Sequence, residues 1–374
     1  MSKTIYFVAG EASADNHGAS LMRALRNLDP SLRFAGRGGP QMKAIAGDQF
    51  ENWIGKSAVL GLWEVIKQYG YFRKQFHATV HEIESRKPDA VLLIDYPGFN
   101  LRLARALRKR SKVIYYISPQ VWAWNRGRIK QMAGWIDLML CIFPFEADLY
   151  NQSGLRTVFV GHPMIERLQT ARVAVERDPN LIGLFPGSRV REVRKILPIL
   201  IEAADELVRQ ESNLRFEIAA SSPQLKDEIE TILERRSIDR TLFAVKIGET
   251  SAMMQRAFTG IVASGSATLE AAYFRFPFVL VYKVSWITYL VGRLVVKVKY
   301  LGMPNVLAGR EIVPEFIQHK AQPKKLAAAV LKLIRDPATR KQMVTNCDAV
   351  IDSLGGSGAS ERAARAIVEE LSLA

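Results

Sequence analysis

Short, continuously apolar segments alternate with helical segments along most of this 374-residue chain, and this alternation constrains its fold more than any other feature. Continuous rather than alternating apolar runs are typical of strands buried on both faces of a parallel sheet. Helical patterns such as Asn100–Arg110 and Ile196–Gln210 separate the runs. The predicted strands are Thr4–Ala9, Arg33–Gly36, Ala90–Asp95, Lys112–Ile117, Leu138–Ile142, Thr157–Val160, Leu181–Phe185, Arg215–Ala219, Leu242–Val245, Gly260–Ala263 and Phe278–Tyr282. The sequence therefore predicts an α/β fold built from βα units.

The succession of strands is interrupted after the GHP motif at 161–163, where a polar connector follows. A chain of this length corresponds to two domains, each long enough to bury a core. We therefore expect two facing, Rossmann-like, doubly wound domains and a terminal helix that packs on the first domain or on a partner subunit. The expected bounds are 1–165, 166–356 and 357–374.

Composition excludes several classes of protein. Hydrophobic residues make up 48% of the chain and the mean hydropathy is +0.00, which is too apolar for a disordered chain and too polar for a polytopic membrane protein. The longest membrane-like run, Val284–Val296, contains Arg293 and is shorter than about 18 apolar residues. With no signal peptide at its start, the sequence predicts a cytoplasmic chain without a spanning segment.

Metal and disulfide chemistry has little support in the sequence. The chain contains only two cysteines, Cys141 and Cys347, and its five histidines do not follow a ligand spacing. We therefore expect no metal site, no cofactor and no disulfide framework.

The net charge of +15 predicts an anionic partner. Two segments, 60–76 and 284–300, mix lysine and arginine with aromatic and aliphatic residues. This mixture suits a segment that lies among lipid headgroups, but it also suits an ordinary amphipathic helix whose cationic side chains extend to solvent. Nucleic acid is disfavoured because no recognition motif is present. The residues expected to face a membrane are Trp63, Phe72, Trp286 and Tyr289.

Polar residues follow two predicted strands of the first half. The motif GEASAD at 10–15 follows the first strand, and IDYPGFN at 94–100 ends a later one. Open α/β sheets bind ligands at the carboxyl ends of their strands, where a carboxylate such as Asp95 can act as a general base for an alcohol. Both motifs are also compatible with helix capping, by Asp95 or Asn100 in the second.

The motif SPQVWAW at 118–124 follows another predicted strand. Trp122 and Trp124 offer an aromatic platform for sugar or acyl groups, although core packing explains them equally well.

Small residues and arginines follow strands in the second half. FPGSR at 185–189 combines a tight turn, a helix start and arginine, which together suit a diphosphate. SGSATLE at 264–270 repeats the strand–turn–helix pattern, and PNVLAGRE at 304–311 is a polar, glycine-containing loop. These motifs indicate a nucleotide-sugar diphosphate, with solvated helix charge as the alternative explanation.

Taken together, these motifs and FVGHPM at 159–164 resemble the lipid A disaccharide synthase family, inverting glycosyltransferases of the GT-B fold, over almost the whole chain. The resemblance implies transfer from UDP-2,3-diacylglucosamine to 2,3-diacylglucosamine 1-phosphate (lipid X), giving a β-1,6-linked disaccharide 1-phosphate and UDP. It also implies that the enzyme is metal-independent and works at the cytoplasmic face of the inner membrane. The oligomeric state stays open, because the terminal helix can fold back on the first domain or exchange with a partner subunit in a homodimer.

The resemblance implies a role for each motif residue. Asp95 is expected to be the catalytic base. The residues expected at the acceptor site are Glu11, Ser13, Asp15, Asn100, Trp122 and Trp124. The residues expected at the UDP site are Ser188 and Arg189, Ser264, Gly265 and Ser266, Glu270, Asn305 and Arg310, with the arginines on the diphosphate and Glu270 on the ribose.

Other functions remain open from the sequence. The same two-domain layout serves transferases that act on peptidoglycan-type lipid-linked acceptors, and it serves UDP-N-acetylglucosamine epimerases. A peptidoglycan transferase is expected to show a Gly-Gly-Ser-type loop where this chain has FPGSR, and an epimerase does not need an apolar basic surface. A non-catalytic basic protein that binds membrane or RNA is a further alternative, which predicts polyanion binding without UDP affinity.

Overall fold

The computed structural model describes residues 2–54, 69–236, 238–286, 289–290 and 298–373. The chain divides into two compact units, Met1–Glu166 with Leu354–Ala374, and Arg167–Ser353. The last part of the chain therefore belongs to the first unit.

The first unit contains a seven-stranded parallel sheet in the order β3-β2-β1-β4-β5-β6-β7. Its strands are β1 (Thr4–Ala9), β2 (Arg33–Gly38), β3 (Phe50–Asn52), β4 (Ala90–Ile94), β5 (Val113–Tyr116), β6 (Leu138–Cys141) and β7 (Thr157–Phe159). Its helices are α1 (Ala12–Leu28), α2 (Pro40–Ala46), α3 (Tyr69–Arg86), α4 (Pro97–Leu107), α5 (Gly127–Met132) and α6 (Pro144–Asn151). The next helix, α7 (Met164–Thr170), spans the boundary between the units.

The second unit contains a six-stranded parallel sheet in the order β10-β9-β8-β11-β12-β13. Its strands are β8 (Asp178–Phe185), β9 (Arg215–Ala220), β10 (Phe243–Ile247), β11 (Ala257–Ala263), β12 (Phe278–Tyr282) and β13 (Glu315–Ile317). Its helices are α8 (Val190–Val208), α9 (Pro223–Glu234), α10 (Thr250–Arg256), α11 (Ala267–Tyr273), α12 (Met303–Ala308), α13 (Pro323–Arg335) and α14 (Pro337–Ser353). Single 3-10 turns lie at Gly47–Gln49, Val121–Ala123, Arg240–Leu242 and Gln318–Lys320.

The α/β prediction is confirmed, and the central strands are the apolar runs recognised in the sequence. Every residue of β4 and β5 is buried, as expected for strands covered on both faces. The prediction omitted β3 and β13, each of which forms one edge of its sheet. Each has only three residues, too few to form an apolar run.

The terminal helix α15 (Ala359–Ser372) packs on α1 of the same chain. Its apolar face, which includes Ile367 and Leu371, is buried. Glu166 accepts hydrogen bonds from the backbone N–H groups of Gly358 (2.6 Å) and Ala359 (2.9 Å), so a carboxylate satisfies donors at the start of the helix. The helix is thereby tied to the first unit at its beginning and along its length.

No helix in the described part of the chain is long and apolar enough to cross a membrane.

Candidate active site

The first candidate site lies at the carboxyl ends of β1 and β4. These strands are neighbours, and the chain extends the sheet from β1 through β2 and β3 on one side and from β4 through β7 on the other. Such a switch point leaves a crevice in which open parallel sheets bind ligands. Glu11 follows β1 after one glycine, and Asp95 and Tyr96 follow β4 directly. The fold therefore places two of the predicted motifs on adjacent strands.

The backbone of Asp95 is held in an unusual conformation. Its φ is 46°, and its carbonyl accepts hydrogen bonds from the hydroxyl of Tyr115 (2.6 Å) and the side-chain amide of Asn100 (2.8 Å). Its own N–H donates to the carbonyl of Tyr116 (2.9 Å). Left-handed backbone is uncommon outside glycine, and it persists where surrounding contacts enforce it. The backbone that carries this carboxyl is therefore positioned by the fold.

The carboxyl of Asp95 has an unusual acidity. Burial raises its pKa from 3.8 to about 6, and the carboxylate of Glu11 adds to the rise, while a backbone hydrogen bond at Tyr96 acts in the opposite direction. Such a group is mostly ionised at neutral pH and is a stronger base than an ordinary aspartate. Asp95 therefore has the acidity that suits a general base.

Aromatic packing joins the two turns. A Cβ atom on Gly10 would lie 2.2 Å from Cδ1 of Tyr96, so glycine is required where the ring crosses the first turn. Tyr96 stacks on Phe99 with 6.1 Å between centroids, and Phe99 contacts Trp53 edge-on at 5.2 Å. Trp53 donates from Nε1 to the carbonyl of Ala9 (2.7 Å). The cluster therefore holds the end of β4 against the end of β1.

Asn100 lies beneath this crevice, which corrects the expectation that it contacts the acceptor. It is completely buried, and its Nδ2 donates to the carbonyls of Ile94 (3.1 Å) and Asp95 (2.8 Å). Its Oδ1 has no hydrogen-bond partner within the described residues. Asn100 therefore fixes the backbone that carries the catalytic candidate.

Asp15 also differs from its expected role. It is buried, and its carboxylate accepts three hydrogen bonds of 3.0 Å from the backbone N–H groups of Gly39, Gln41 and Met42. These groups lie at the start of α2, so Asp15 caps that helix from α1. Of the acidic and hydroxyl groups in GEASAD, Glu11 and Ser13 are the ones that are exposed.

The two tryptophans after β5 have different environments. Trp122 is buried, packs edge-on against Phe145 at 4.9 Å and donates from Nε1 to Glu146 (2.8 Å). Trp124 is 42% exposed. The predicted platform is therefore reduced to Trp124, and Trp122 belongs to the core.

Glu146, which the sequence analysis missed, holds the loop after β5. It is buried, and it accepts hydrogen bonds from the hydroxyl of Ser118 (2.6 Å) and from Trp122 (2.8 Å). Burial raises its pKa from 4.5 to about 7, although these hydrogen bonds lower it. The signal in the sequence is the run Phe143-Pro144-Phe145-Glu146, which places glutamate at the third position of a helix that begins with proline.

The second candidate site lies at the carboxyl ends of β8 and β11, the switch point of the second sheet. After β8, Gly187 has a φ of +116°, and a Cβ there would lie 2.5 Å from Glu192 Oε2. The same carboxylate accepts a hydrogen bond from the N–H of Ser188 (3.1 Å) and its other oxygen pairs with Arg189 (3.2 Å). The side chain of Arg189 is 77% exposed. This turn therefore presents an accessible cation next to the start of α8.

The turn after β11 consists of small residues. Ser264 is half-buried, while Gly265 and Ser266 are exposed. Gly265 has a φ of +154°, and open space surrounds the position of a Cβ. Because β8 and β11 are paired neighbours, this turn lies beside the one that carries Ser188 and Arg189. An anionic ligand at this edge can approach both turns.

The remaining residues predicted at the UDP site are already engaged. Glu270 is buried, accepts a hydrogen bond from the hydroxyl of Ser251 and lies 3.5 Å from Arg167. Arg310 is exposed and donates to Asn346 (2.8 Å) on α14.

Asn305 is a structural residue, which corrects the expectation that it contacts the nucleotide. It is buried, and its Oδ1 accepts hydrogen bonds from the backbone N–H groups of Ile312 (2.7 Å) and Val313 (2.9 Å). Its Nδ2 donates to the carbonyl of Val313 (2.8 Å) and to Glu315 (2.8 Å). All four of its hydrogen-bonding positions are used within the protein.

The residues predicted to face a membrane are described in part. Trp286 is 65% exposed, and Leu290 is 53% exposed. Tyr289 is half-buried and lies 5.7 Å from Trp286 between ring centroids. Phe72 is half-buried on α3, and Trp63 lies outside the described residues.

Two Rossmann-like α/β units define the class of protein, the GT-B fold. The S. aureus MnaA–UDP co-structure aligns with a TM-score of 0.64, covering 100% of this chain and 98% of its own at 13% identity. The structure of MurG from Acinetobacter baumannii aligns with a TM-score of 0.58, covering 98% and 99% at 11% identity. At such low identity these likenesses show the fold alone.

Sequence comparison defines the family. The model of the lipid-A-disaccharide synthetase family matches residues 5–368. The lipid-A-disaccharide synthase of Geobacter sulfurreducens is 38% identical over 99% of this chain and 98% of its own. That of Syntrophus aciditrophicus is 38% identical over 97% and 96%. The chain belongs to the lipid-A-disaccharide synthase family. This membership favours a lipid A disaccharide synthase over the epimerase, the peptidoglycan-type transferase and the non-catalytic alternatives.

Proposed function

We propose that this enzyme joins UDP-2,3-diacylglucosamine to 2,3-diacylglucosamine 1-phosphate, releasing UDP and a β-1,6-linked disaccharide 1-phosphate. The observation that carries the proposal is Asp95, a carboxyl with a pKa of about 6 at the switch point of the first sheet. In a member of this family, such a group suits the deprotonation of a sugar hydroxyl.

The acceptor supplies its 6-hydroxyl, a weak nucleophile at neutral pH. As the oxygen attacks the anomeric carbon of the donor, Asp95 takes the hydroxyl proton, and the bond to UDP breaks on the opposite face of the sugar. In-line displacement of this kind inverts the anomeric centre. A positioned base contributes about 10²–10⁴-fold to such a step. The contacts that Tyr115 and Asn100 make with the Asp95 carbonyl keep the base in place.

The second sheet is the proposed donor site. The diphosphate would lie against the start of α8, a 19-residue helix whose first N–H groups carry partial positive charge. Arg189 adds a full positive charge. In the structure it pairs with Glu192, and a surface ion pair of this kind contributes about 0–1 kcal/mol to stability. A diphosphate can therefore replace Glu192 at low cost. Ser188 and the turn at 264–266 provide further hydrogen-bond donors, and we assign the ribose to Glu270.

Arg310 is the second cation proposed at the diphosphate. Its hydrogen bond to Asn346 is exposed and joins a cation to a neutral amide, so water competes with it. A rotation of the side chain frees it for the ligand.

Both substrates carry acyl chains, so we propose that the enzyme binds the surface of the inner membrane from the cytoplasmic side. Trp286 and Leu290 are exposed apolar side chains, and Lys283 and Lys299 lie on either side of them in the sequence. Aromatic and aliphatic groups bordered by cations suit an anionic headgroup region.

The test is an assay of the purified enzyme with both lipids in detergent and EDTA. Formation of UDP and a tetra-acyl disaccharide 1-phosphate, identified by mass spectrometry, is the expected result and also tests the expectation that no divalent cation is required. Release of UDP without disaccharide would contradict the proposed acceptor. Absence of both products from protein that binds UDP would contradict the proposed reaction.

A further inference from the structure

The acceptor of the proposed reaction carries a phosphate, and this inference rests on that proposal. The crevice at β1 and β4 is acidic, because Glu11 and Asp95 both lie there. A phosphate dianion placed beside these carboxylates would be repelled by them. The phosphate therefore needs a cationic position that is close to this crevice but separate from its carboxylates.

The described turns at the carboxyl edge of the first sheet offer one such position. The turns after β1, β2, β4, β6 and β7, and the described start of the turn after β3, contain no lysine or arginine. The turn after β5, residues 117–126, ends in Arg126, and Arg128 follows at the start of α5. The cationic charge presented here by the described turns is thus concentrated after β5.

These arginines have hydrogen-bonding capacity to spare. Arg126 is exposed, and its Nε donates a hydrogen bond to the carbonyl of Trp122 (3.2 Å). This bond does not use its two Nη groups, which remain available as donors to a ligand. Arg128 is half-buried. Within the residues that the structure describes, neither arginine forms an ion pair with a carboxylate. The planar guanidinium group matches a phosphate with two parallel hydrogen bonds.

The turn that carries these arginines begins beside the turn that carries Asp95. β5 is the neighbour of β4, with Ile94 opposite Tyr116, and adjacent strands lie about 4.7–4.9 Å apart. The two turns therefore begin one strand spacing apart at the carboxyl edge of the sheet. C1 and C5 of the glucosamine ring both flank the ring oxygen, so the 1-phosphate and the 6-hydroxyl project from the same end of the sugar. One sugar can therefore present these two groups to two adjacent strand-end turns.

Tyr115 connects the two positions. Its hydroxyl donates to the carbonyl of Asp95 (2.6 Å). Burial raises the pKa of Tyr115 well above its usual value and Asp95 adds to this, whereas the charge of Arg128 acts in the opposite direction. Arg128 is therefore within electrostatic reach of the phenol that holds the proposed base.

The loop that carries the arginines is rigidly supported. The hydroxyl of Tyr150 donates to the carbonyl of Pro119 (2.7 Å), and Glu146 binds both Ser118 and Trp122. Tyr150 and Glu146 both lie on α6, so a single helix anchors the loop after β5. Preorganised cations bind an anion without the entropic cost of ordering a mobile loop.

We propose that Arg126 and Arg128 bind the 1-phosphate of the acceptor and thereby direct its 6-hydroxyl toward Asp95. In this arrangement the turn after β5 recognises the phosphate, and the turn after β4 performs the proton transfer. Trp124 is exposed on the same loop, two residues before Arg126 in the sequence.

The test compares two acceptors, 2,3-diacylglucosamine 1-phosphate and the same lipid without the phosphate. Their dissociation constants would be measured in detergent without donor, for the wild type and for the double variant Arg126→Gln, Arg128→Gln. The matched control is Lys130→Gln, which removes one exposed cation from the same helix. We expect the double variant to bind the phosphorylated lipid about 10–100-fold more weakly and the other lipid unchanged. Lys130→Gln should retain the wild-type preference.

Equal weakening for both lipids, or a wild type without a preference for the phosphorylated one, would overturn the proposal. Unchanged affinity of the double variant for the lipid without phosphate shows that the first unit, which carries both arginines, remains folded. Failure of the proposed reaction is seen separately, as a wild type that binds both lipids and UDP but produces no disaccharide.

Discussion

The acidity of Asp95 predicts the pH dependence of the reaction. A general base must be ionised, so kcat/KM should fall as the pH decreases through the pKa of about 6. One pH unit below that value only about a tenth of the base is ionised, which predicts about a tenfold loss of rate. Because burial is the main cause of the raised pKa, the acidic limb should lie well above the pH expected for an exposed aspartate, whose pKa is about 3.9.

Asp95→Asn removes the base while keeping the size of the side chain. The expected loss is about 10²–10⁴-fold in kcat, which corresponds to about 3–5 kcal/mol of transition-state stabilisation. UDP affinity should stay near that of the wild type, because Asp95 belongs to the first unit and the proposed donor turns belong to the second. The matched control is Asp29→Asn, the same change at a carboxylate in an exposed turn.

The variant Glu11→Gln tests what raises the pKa of Asp95. Removing this neighbouring charge should move the acidic limb to lower pH, while burial, the larger cause, keeps the pKa above 3.8. The assay is UDP release with both lipids in detergent, measured from about pH 5 to about pH 8. Retained turnover in Asp95→Asn would refute the argument, and so would an acidic limb that Glu11→Gln leaves in place.

Three further predictions concern other parts of the molecule. Asp15→Ala should reduce the free energy of unfolding by about 2–3 kcal/mol, because three N–H groups at the start of α2 lose their acceptor. Urea denaturation measures this, and an unchanged midpoint would contradict the capping role. Arg189→Ala should weaken UDP binding by about 10–100-fold in calorimetry, and equal affinity would remove the arginine from the diphosphate site. Replacing Trp286 and Leu290 with serine should reduce sedimentation with anionic vesicles, whereas undiminished sedimentation would place the membrane contact elsewhere. The matched controls, in the same order, are Asp29→Ala for stability, Arg191→Ala for UDP binding and Leu28→Ser for vesicle binding.

Much of the fold was predictable because it depends on local patterns. A buried parallel strand requires a continuous apolar run, and every residue of β4 and β5 supplies one. The strand-end rule then placed Asp95 and Arg189 at the edges where the structure has them. The edge strands β3 and β13 escaped prediction because three residues on the border of a sheet need no such run.

The roles of individual polar residues were harder to predict. Asp15 and Asp95 both follow strand-end patterns, yet Asp15 caps α2 from a distance of more than 20 residues while Asp95 stays at the crevice. Asn305 belongs to a polar loop motif, but its side-chain amide already makes four hydrogen bonds to the segment around Val313. Trp122 and Trp124 are two positions apart, and only the second is exposed.

By itself, the sequence determined the α/β class, the positions of most strands along the chain and the motifs at their ends, because hydrophobic periodicity and turn residues act over a few neighbouring positions. The tertiary structure decided which polar groups are engaged internally and which are accessible to a ligand. That distinction depends on partners far away in the chain, such as Tyr115 for Asp95 and Glu146 for Trp122. Burial then set the pKa of Asp95, since desolvation depends on everything packed around the carboxyl.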